Sequence, residues 1–177
     1  MVISSLLIIS IILIILGVIE NYYHNKSLIK IPHRIHVNGA RGKSSVTRLI
    51  AAGLRAGGIV TMAKTTGSAP RIINKEGKDL VIHRLRSASI GEQVKLIRDF
   101  AKQKIEALVI ECMAVQPQYQ WISEQKMIKS NIGVITNVRP DHLDEMGYTM
   151  NDIAKSLSNS IPTNGTLIAH KDRFLSL

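Results

Sequence analysis

The sequence VNGARGKSSVTR, residues 37–48, has the form of a strand end, a glycine-containing turn with Lys43, and the beginning of a helix. A loop of this kind presents free backbone N–H groups and the positive end of a helix dipole to phosphate oxygens. The common pattern G-x-x-x-x-G-K-[ST] has a glycine at the position that Val37 occupies here. The stretch therefore predicts either a nucleotide site with a shorter loop or a helix-capping turn with an exposed lysine.

Short apolar segments alternate with amphipathic ones along the rest of the chain. The apolar segments predict strands at 34–37, 59–63, 107–111, 132–136 and 166–170, and the pattern of residues 71–84 predicts a hairpin. Helices are predicted at 43–55, 90–103, 118–129 and 149–160, the second of them with the capping-box spacing of Ser89 and Glu92. This alternation is typical of an α/β fold, a parallel sheet with helices on both faces.

Chemically reactive side chains follow these strands directly. Ligands bind at the carboxyl ends of the strands in such sheets, and residues 39–44, Glu111 and residues 137–144 all lie at predicted strand ends. Lys43 supplies a charge for phosphates, while the Ser44 hydroxyl and the Glu111 carboxylate are the oxygen donors that Mg²⁺ selects. His142 lies between two acids in the third segment, which makes it a candidate metal or phosphate ligand.

The N-terminus contains an apolar run from Val2 to Ile19 that is long enough to cross a hydrocarbon core of about 30 Å. It lacks the basic start and small-residue cleavage site of a signal peptide, and the alternative is a buried core helix. The nearest basic residues all follow the run: Lys26, Lys30 and Arg34. The positive-inside rule then predicts a single-pass anchor at the cell membrane with the remainder of the chain in the cytoplasm.

Composition limits the kind of partner. The 177 residues carry a formal net charge of +10, which favours an anionic partner such as a phosphate, a lipid headgroup or a polyanionic product. The basic residues form no dense run and have no aromatics interleaved with them, so nucleic acid is not an expected partner. Cys112 is the one cysteine of the sequence, which excludes a disulfide within the chain.

The motifs in combination resemble a known family. GARGKSS, a glutamate at the end of a strand and then T-N-x-x-x-D-H-L-D are similar to the central domain of the Mur ligase superfamily. That superfamily uses a shorter G-x-x-G-K-[ST] loop, so Val37 is not an obstacle. The N-terminal span together with VNGARGKSSVTRLI, AKTTGSAPR, IGEQ, VIECMAVQPQYQ and NVRPDHLDEMG further resembles the ligase subunits of bacterial poly-γ-glutamate synthases, from residue 1 to the last residues of the chain.

The resemblance implies an ATP-dependent acid–amino acid ligase that activates a glutamate carboxylate as an acyl phosphate and uses ATP and Mg²⁺. It implies a phosphate-binding set of Gly39, Arg41, Gly42, Lys43, Ser44 and Ser45, with Asn137 beside the nucleotide. Ser44, Glu111 and His142 would form the Mg²⁺ shell, and Lys43, Glu111 and His142 would be the catalytic residues. The implied partners are glutamate, the growing γ-linked chain and other membrane subunits of the synthase.

The same resemblance divides the chain into an anchor at 1–20, a juxtamembrane linker at 21–33 and an ATP-binding domain at 34–177. Family chains are considerably longer, so this chain is expected to lack a substrate domain and to be inactive alone. The carbamylated lysine of many Mur ligases would align near Ser158, so Lys155 is not assigned that role. The alternatives are a truncated, non-catalytic scaffold at the membrane and a membrane-anchored P-loop NTPase or kinase.

Overall fold

A computed structural model describes residues 2–67, 69–82 and 89–170. Within these ranges a single sheet runs in the order β4-β3-β2-β5-β1-β6-β7. Its strands are β1 His33–Asn38, β2 Thr61–Thr65, β3 Arg71–Ile73, β4 Asp79–Val81, β5 Ala107–Glu111, β6 Ile132–Ile135 and β7 Thr166–Ala169. The five neighbouring strands β2, β5, β1, β6 and β7 are parallel, and β3 and β4 add an antiparallel edge next to β2. The predicted α/β class is confirmed, with a mixed rather than wholly parallel sheet.

The helices cover both faces of the sheet. They are α1 Val2–Ile29, α2 Lys43–Ala56, α3 Glu92–Lys102, α4 Pro117–Ile122, α5 Leu143–Met146 and α6 Met150–Ser158, and a π-helical segment, Ser123–Ile128, continues α4. On one face Leu108 and Ile110 of β5 pack with residues of α3, while on the other Val109 packs with residues of α2. Alternate side chains of a strand point to opposite faces, which is why the apolar run ALVIE is buried at every position.

Most predicted elements occur within two residues of their expected bounds. The strand expected at 59–63 lies at Thr61–Thr65, and residues 83 and 84 of the expected hairpin lie outside the described residues. The helix expected at 118–129 is α-helical only to Ile122 and π-helical beyond it. The short helix α5 was not predicted, since four residues are too few for a periodic pattern.

Two predicted helix starts have different outcomes. The last helix begins after Thr149, whose hydroxyl accepts from the Asp152 N–H in a reciprocal capping box. The predicted capping box of Ser89 and Glu92 is wrong, because α3 begins at Glu92 with Gly91 as its N-cap and no side chain caps it. Ser89 Oγ instead accepts from the N–H of Gly91 at 3.3 Å. The carboxylate of Glu92 lies 3.3 Å from the ammonium of Lys64, a partner that sequence spacing does not reveal.

The N-terminal helix α1 is one continuous element through Ile29, so residues 21–29, expected to be a linker, are helical. In the described part of the chain it is the one helix long and apolar enough to cross a membrane. Its last turn packs on the sheet domain, where Leu28 is buried in the same cluster as Phe100. Arg34 donates to the carbonyls of Leu28 and Ile31 at 3.2 and 2.7 Å, which binds the end of the helix to β1.

Candidate nucleotide-binding site

The loop between β1 and α2 depends on two glycines. Gly39 has φ +132°, and a Cβ there would lie 2.9 Å from the backbone nitrogen of Thr136 and still closer to its hydroxyl. Gly42 has φ +80° and is the N-cap of α2. Both conformations strongly favour glycine, and the close approach to Thr136 excludes any side chain at Gly39. The loop is therefore held tightly against the end of β6.

Asn137 fixes this loop from the side of β6. Its Oδ1 accepts from the N–H of Arg41 at 3.1 Å, and its Nδ2 donates to the carbonyl of Arg41 at 2.9 Å. The Thr136 hydroxyl donates to the same carbonyl at 2.7 Å. Three side-chain hydrogen bonds to one loop residue give the loop a defined shape before any ligand binds.

The first turn of α2 directly follows the loop. No side chain of the described residues caps this helix, so its first N–H groups and the positive end of its dipole can bind an anion. The ammonium of Lys43 donates to the carbonyls of Gly39 and Ala40 at 2.8 and 3.2 Å. These carbonyl acceptors are neutral, and an anionic phosphate oxygen attracts an ammonium more strongly, so a bound nucleotide could replace them as the partner of Lys43.

Glu111 joins three elements at the centre of the site. Its side chain is 3% exposed, and its Oε2 accepts from the Ser44 hydroxyl and from the Thr66 N–H, both at 2.8 Å. The end of β5, the start of α2 and the loop after β2 thus meet at one carboxylate oxygen. A buried carboxylate is retained only when it is hydrogen-bonded or paired, and these two donors provide that here.

A cavity of about 660 Å³ lies in front of these residues. Seven of the predicted site residues line it: Arg41, Gly42, Lys43, Ser44, Ser45, Glu111 and His142. Gly39 and Asn137 do not line it but shape the loop from behind, and Asn137 lines a neighbouring pocket with Arg41 and Gly42. The structure thus brings together most of the predicted set, from segments of the chain that are far apart in sequence.

The far wall of the cavity comes from the segment before α5. His142 is the N-cap of α5, with φ +47°, and its side chain is exposed. Asp141 also lines the cavity and forms an ion pair of 3.2 Å with Arg41, whose side chain is 71% exposed. An exposed pair contributes little to stability, so Arg41 remains available to an anionic ligand.

The donor set at Glu111 suits a hard cation. The hydroxyl of Ser44 and the carboxylate of Glu111 are oxygen donors in contact with each other, and Mg²⁺ prefers a few protein oxygens together with phosphate oxygens. The described residues contain no group of three or more His, Cys, Asp and Glu side chains that could hold a metal ion. The fit is therefore to a metal that arrives with a phosphate ligand rather than to an all-protein cage.

Sequence reasoning assigned no role to Thr66, Gly67 or Met113, which also line the cavity. The signal was present in the stretch AKTTGSAPR, which follows β2 at the same edge of the sheet as Glu111. The second residue of that stretch is a fully buried lysine, Lys64, whose ammonium contacts Met113 Sδ at 3.6 Å and Glu92 at 3.3 Å. A buried lysine at a strand end is costly unless paired, so the pair fixes α3 next to the cavity.

A second buried pair lies next to Cys112, one of the residues that line the cavity. His36 Nδ1 lies 2.7 Å from Glu124 Oε2, and both side chains are inaccessible. Burial alone lowers the pKa of His36, but the neighbouring Cys112 and Glu124 outweigh it and raise that pKa to about 9. Glu124 also accepts from the hydroxyl and the N–H of Ser130. The π-helical segment is therefore attached to β1 through the contact between His36 and Glu124.

Comparison with known proteins identifies the family of the chain. Residues 37–174 match the Mur ligase middle domain, and the chain belongs to the Mur ligase family. It is 42% identical to the capsule biosynthesis protein CapB of Bacillus anthracis over 92% of this chain and 36% of that protein. It is 38% identical to the PGA synthase CapB of Bacillus subtilis over 89% of this chain and 40% of that protein. The chain thus spans well under half the length of these relatives.

The fold agrees with that of a solved ligase. The structure of E. coli FolC in complex with ADP superposes with a TM-score of 0.60, covering 82% of this chain and 39% of that one, at 16% identity. Identity this low supports the fold alone. The predicted resemblance to the Mur ligase central domain and to the poly-γ-glutamate synthase ligases is confirmed.

Proposed function

We propose that this chain is the ATP-binding part of an ATP-dependent acid–amino acid ligase that extends a γ-linked glutamate chain. The observation that carries the proposal is the meeting of an uncapped helix N-terminus, Lys43, Ser44 and Glu111 around one cavity. The similarity to two proteins named for capsule biosynthesis and PGA synthesis supports glutamate as the substrate. The relative with ADP bound supports a nucleotide in this fold.

The reaction has two steps. A carboxylate oxygen of the glutamate chain attacks the γ-phosphorus of ATP, forming an acyl phosphate and releasing ADP. The amine of the next glutamate then attacks the acyl carbon, phosphate leaves, and the nitrogen loses a proton to give the amide. Such transfers depend mainly on positioning and on neutralising charge at the phosphates.

The residues of the site have separate roles in these steps. The loop N–H groups with Gly39 and Gly42 cradle the phosphates, Lys43 and Arg41 add positive charge, and Ser45 lies at the rim of the cavity. Ser44 and Glu111 would hold Mg²⁺, with His142 on the opposite wall, and the ion would neutralise charge on the transferred phosphoryl group. Asn137 keeps the loop in shape and, on this proposal, also lies beside the nucleotide.

The membrane location is part of the same proposal. We place residues 1–20 in the membrane and residues 34–177 in the cytoplasm, because the apolar helix is followed and not preceded by basic residues. Other membrane subunits of a synthase are the proposed partners. ATP is cytoplasmic, so this orientation puts the candidate site on the side of the membrane where its nucleotide is found.

Binding of a fluorescent ATP analogue to the detergent-solubilised chain tests the nucleotide site. Mg²⁺-dependent binding is expected for the native chain and for Lys78→Ala, a control lysine on the β3–β4 turn, and strongly weakened binding for Lys43→Ala. Glutamate-dependent ADP release in membranes that also contain the partner subunits tests the ligase step. ATP binding that Lys43→Ala leaves unchanged would contradict the nucleotide site, and ADP release that ignores glutamate would favour an NTPase instead.

A further inference from the structure

A groove of about 360 Å³ separates the end of α1 from α3, on the side of the domain where the apolar helix enters. Four cationic side chains line it: Lys26 from α1, Lys30 from the turn after α1, and Arg98 and Lys102 from α3. Tyr23 and the small residue Ala101 complete the walls. The groove is separate from the nucleotide site, and the ligase chemistry gives it no role.

The four cations are arranged as two like-charged pairs. Arg98 and Lys102 are four residues apart on α3, while Lys26 lies in the last turn of α1 and Lys30 in the turn that directly follows this helix. Like charges four residues apart on a helix destabilise it, and here the cationic pair of α3 faces the two lysines at the end of α1. An arrangement that costs stability in the free protein is relieved by an anion placed between the helices.

Carboxylates compensate only the α3 side of the groove. Glu20 lies 3.4 Å from Arg98, and Asp99 lies 3.0 Å from Lys102. Lys26 and Lys30 are exposed and make no ion pair among the described residues. The buried Nε of Arg98 also has no hydrogen-bond partner within the described part of the chain. Two unpaired ammonium groups and an unused guanidinium donor indicate a missing acceptor.

The groove lies at the depth of lipid headgroups if α1 spans the bilayer. Arg98 donates to the carbonyl of Glu20 at 2.9 Å, so α3 reaches the level where the apolar run ends. With a rise of 1.5 Å per residue, Lys26 is only about 9 Å beyond Glu20 along the helix. The exposed rings of Tyr22 and Tyr23 occupy the same level, which is where interfacial aromatics are found.

We propose that this groove is a binding site for an anionic phospholipid, with its phosphate between Lys26, Lys30 and Arg98. A phosphate diester offers oxygen acceptors to both ammonium groups and to the guanidinium at once. Bound in this way, the lipid would link α1 to α3 and set the orientation of the domain on the membrane. The proposal rests on the membrane orientation proposed above and does not depend on ligase activity.

Native mass spectrometry of the full chain in detergent, with added phosphatidylglycerol or phosphatidylcholine, tests the proposal without ATP or glutamate. We expect the chain to retain phosphatidylglycerol preferentially and Lys26→Gln/Lys30→Gln to retain it at least tenfold more weakly, since each interfacial basic residue contributes about a fivefold effect. Lys26→Arg/Lys30→Arg should restore binding. Lys78→Gln/Lys155→Gln removes the same charge away from the groove and should leave binding unchanged.

Three results would overturn the proposal. Equal loss of binding in Lys78→Gln/Lys155→Gln would mean general attraction by net charge. Retention of phosphatidylcholine as strongly as phosphatidylglycerol would mean that the groove does not select an anion. Displacement of the lipid by soluble poly-γ-glutamate, but not by glycerol 3-phosphate, would make the groove a site for a polyanionic chain. Circular dichroism of each variant confirms that the fold is intact.

Discussion

The hydroxyl of Ser44 donates to Oε2 of Glu111 at 2.8 Å, although the two residues are 67 positions apart in the chain. One is in the first turn of a helix and the other ends a buried strand, and parallel pairing of β1 with β5 brings Val37 opposite Glu111. The bond therefore depends on sheet register. On the function proposed above, both oxygens of this bond would become ligands of a phosphate-bound Mg²⁺.

Glu111→Gln should weaken the Mg²⁺ stimulation of ATP binding by roughly tenfold, because the metal loses a charged oxygen ligand. The fold should be retained, since the amide oxygen can still accept from Ser44 and from the Thr66 N–H. Titration of a fluorescent ATP analogue with and without Mg²⁺ measures the effect. If the stimulation is the same in both proteins, Glu111 is not a metal ligand.

The sequence was sufficient to predict that these residues come together, because they lie at the ends of apolar strands. Parallel strands present their carboxyl ends at one edge, so Lys43, Ser44 and Glu111 were expected to meet once the strands were recognised. The position of Asn137 behind the loop was not predictable, because it depends on the hydrogen bonds of its side-chain amide to the backbone of Arg41. The contact between Lys64 and Glu92 was also missed, because residues 28 positions apart, one in a strand and one in a helix, leave no periodic signal in the sequence.

Local boundaries were predicted less well where tertiary contacts decide them. Glu92 was expected to cap its own helix, but the buried ammonium of Lys64 takes its carboxylate instead. The helix after Pro117 becomes π-helical at Ser123, in the segment where Glu124 bonds His36 and Ser130. Sequence propensity alone does not contain these long-range contacts.

Lys43→Ala should weaken ATP binding by about tenfold to a hundredfold, the equivalent of one charge-assisted bond to phosphate of roughly 1.5–3 kcal/mol. The side chain is only partly buried and bonds two loop carbonyls in the free protein, so the thermal unfolding midpoint should change little. Lys43→Arg keeps the positive charge but changes the shape of the side chain, so its affinity for ATP should lie between those of Lys43→Ala and the native chain. An unfolded Lys43→Ala protein would instead show that the lysine holds the loop together.

Gly39→Ala should destabilise the protein by about 2–3 kcal/mol, since it combines a strained positive φ with a collision against Thr136. Gly53→Ala in the middle of α2 is the matched control. A Cβ there meets nothing within 4 Å, so it should stabilise by about 0.5–1 kcal/mol through helix propensity. Chemical unfolding of both variants in detergent measures the difference, and equal stabilities would mean that the loop can relax away from β6.

Stability should fall as pH rises from about 6.5 to about 9. The pKa of His36 is raised to about 9 in the folded protein from its ordinary 6.5. The proton is therefore held more tightly in the folded state, and its stabilisation is complete below the unfolded value and is lost as pH passes the folded one. Unfolding midpoints across this range measure it. Glu124→Gln should cost stability at neutral pH and flatten the profile, whereas an unchanged slope would exclude the pair as its origin.

The last prediction concerns the apolar helix. The chain should sediment with membranes, resist extraction by high salt and dissolve in detergent, because the large apolar side chains between Ile3 and Ile19 are exposed in the isolated fold and a hydrocarbon environment would cover them. Leu13→Arg places a charge near the middle of the span and should make the free energy of membrane insertion less favourable by about 2.5–3.5 kcal/mol. Leu49→Arg, at an exposed leucine of α2, adds the same charge and should leave the fractionation unchanged. Release of the native chain by salt alone would show that basic residues, and not this helix, attach the protein to the membrane.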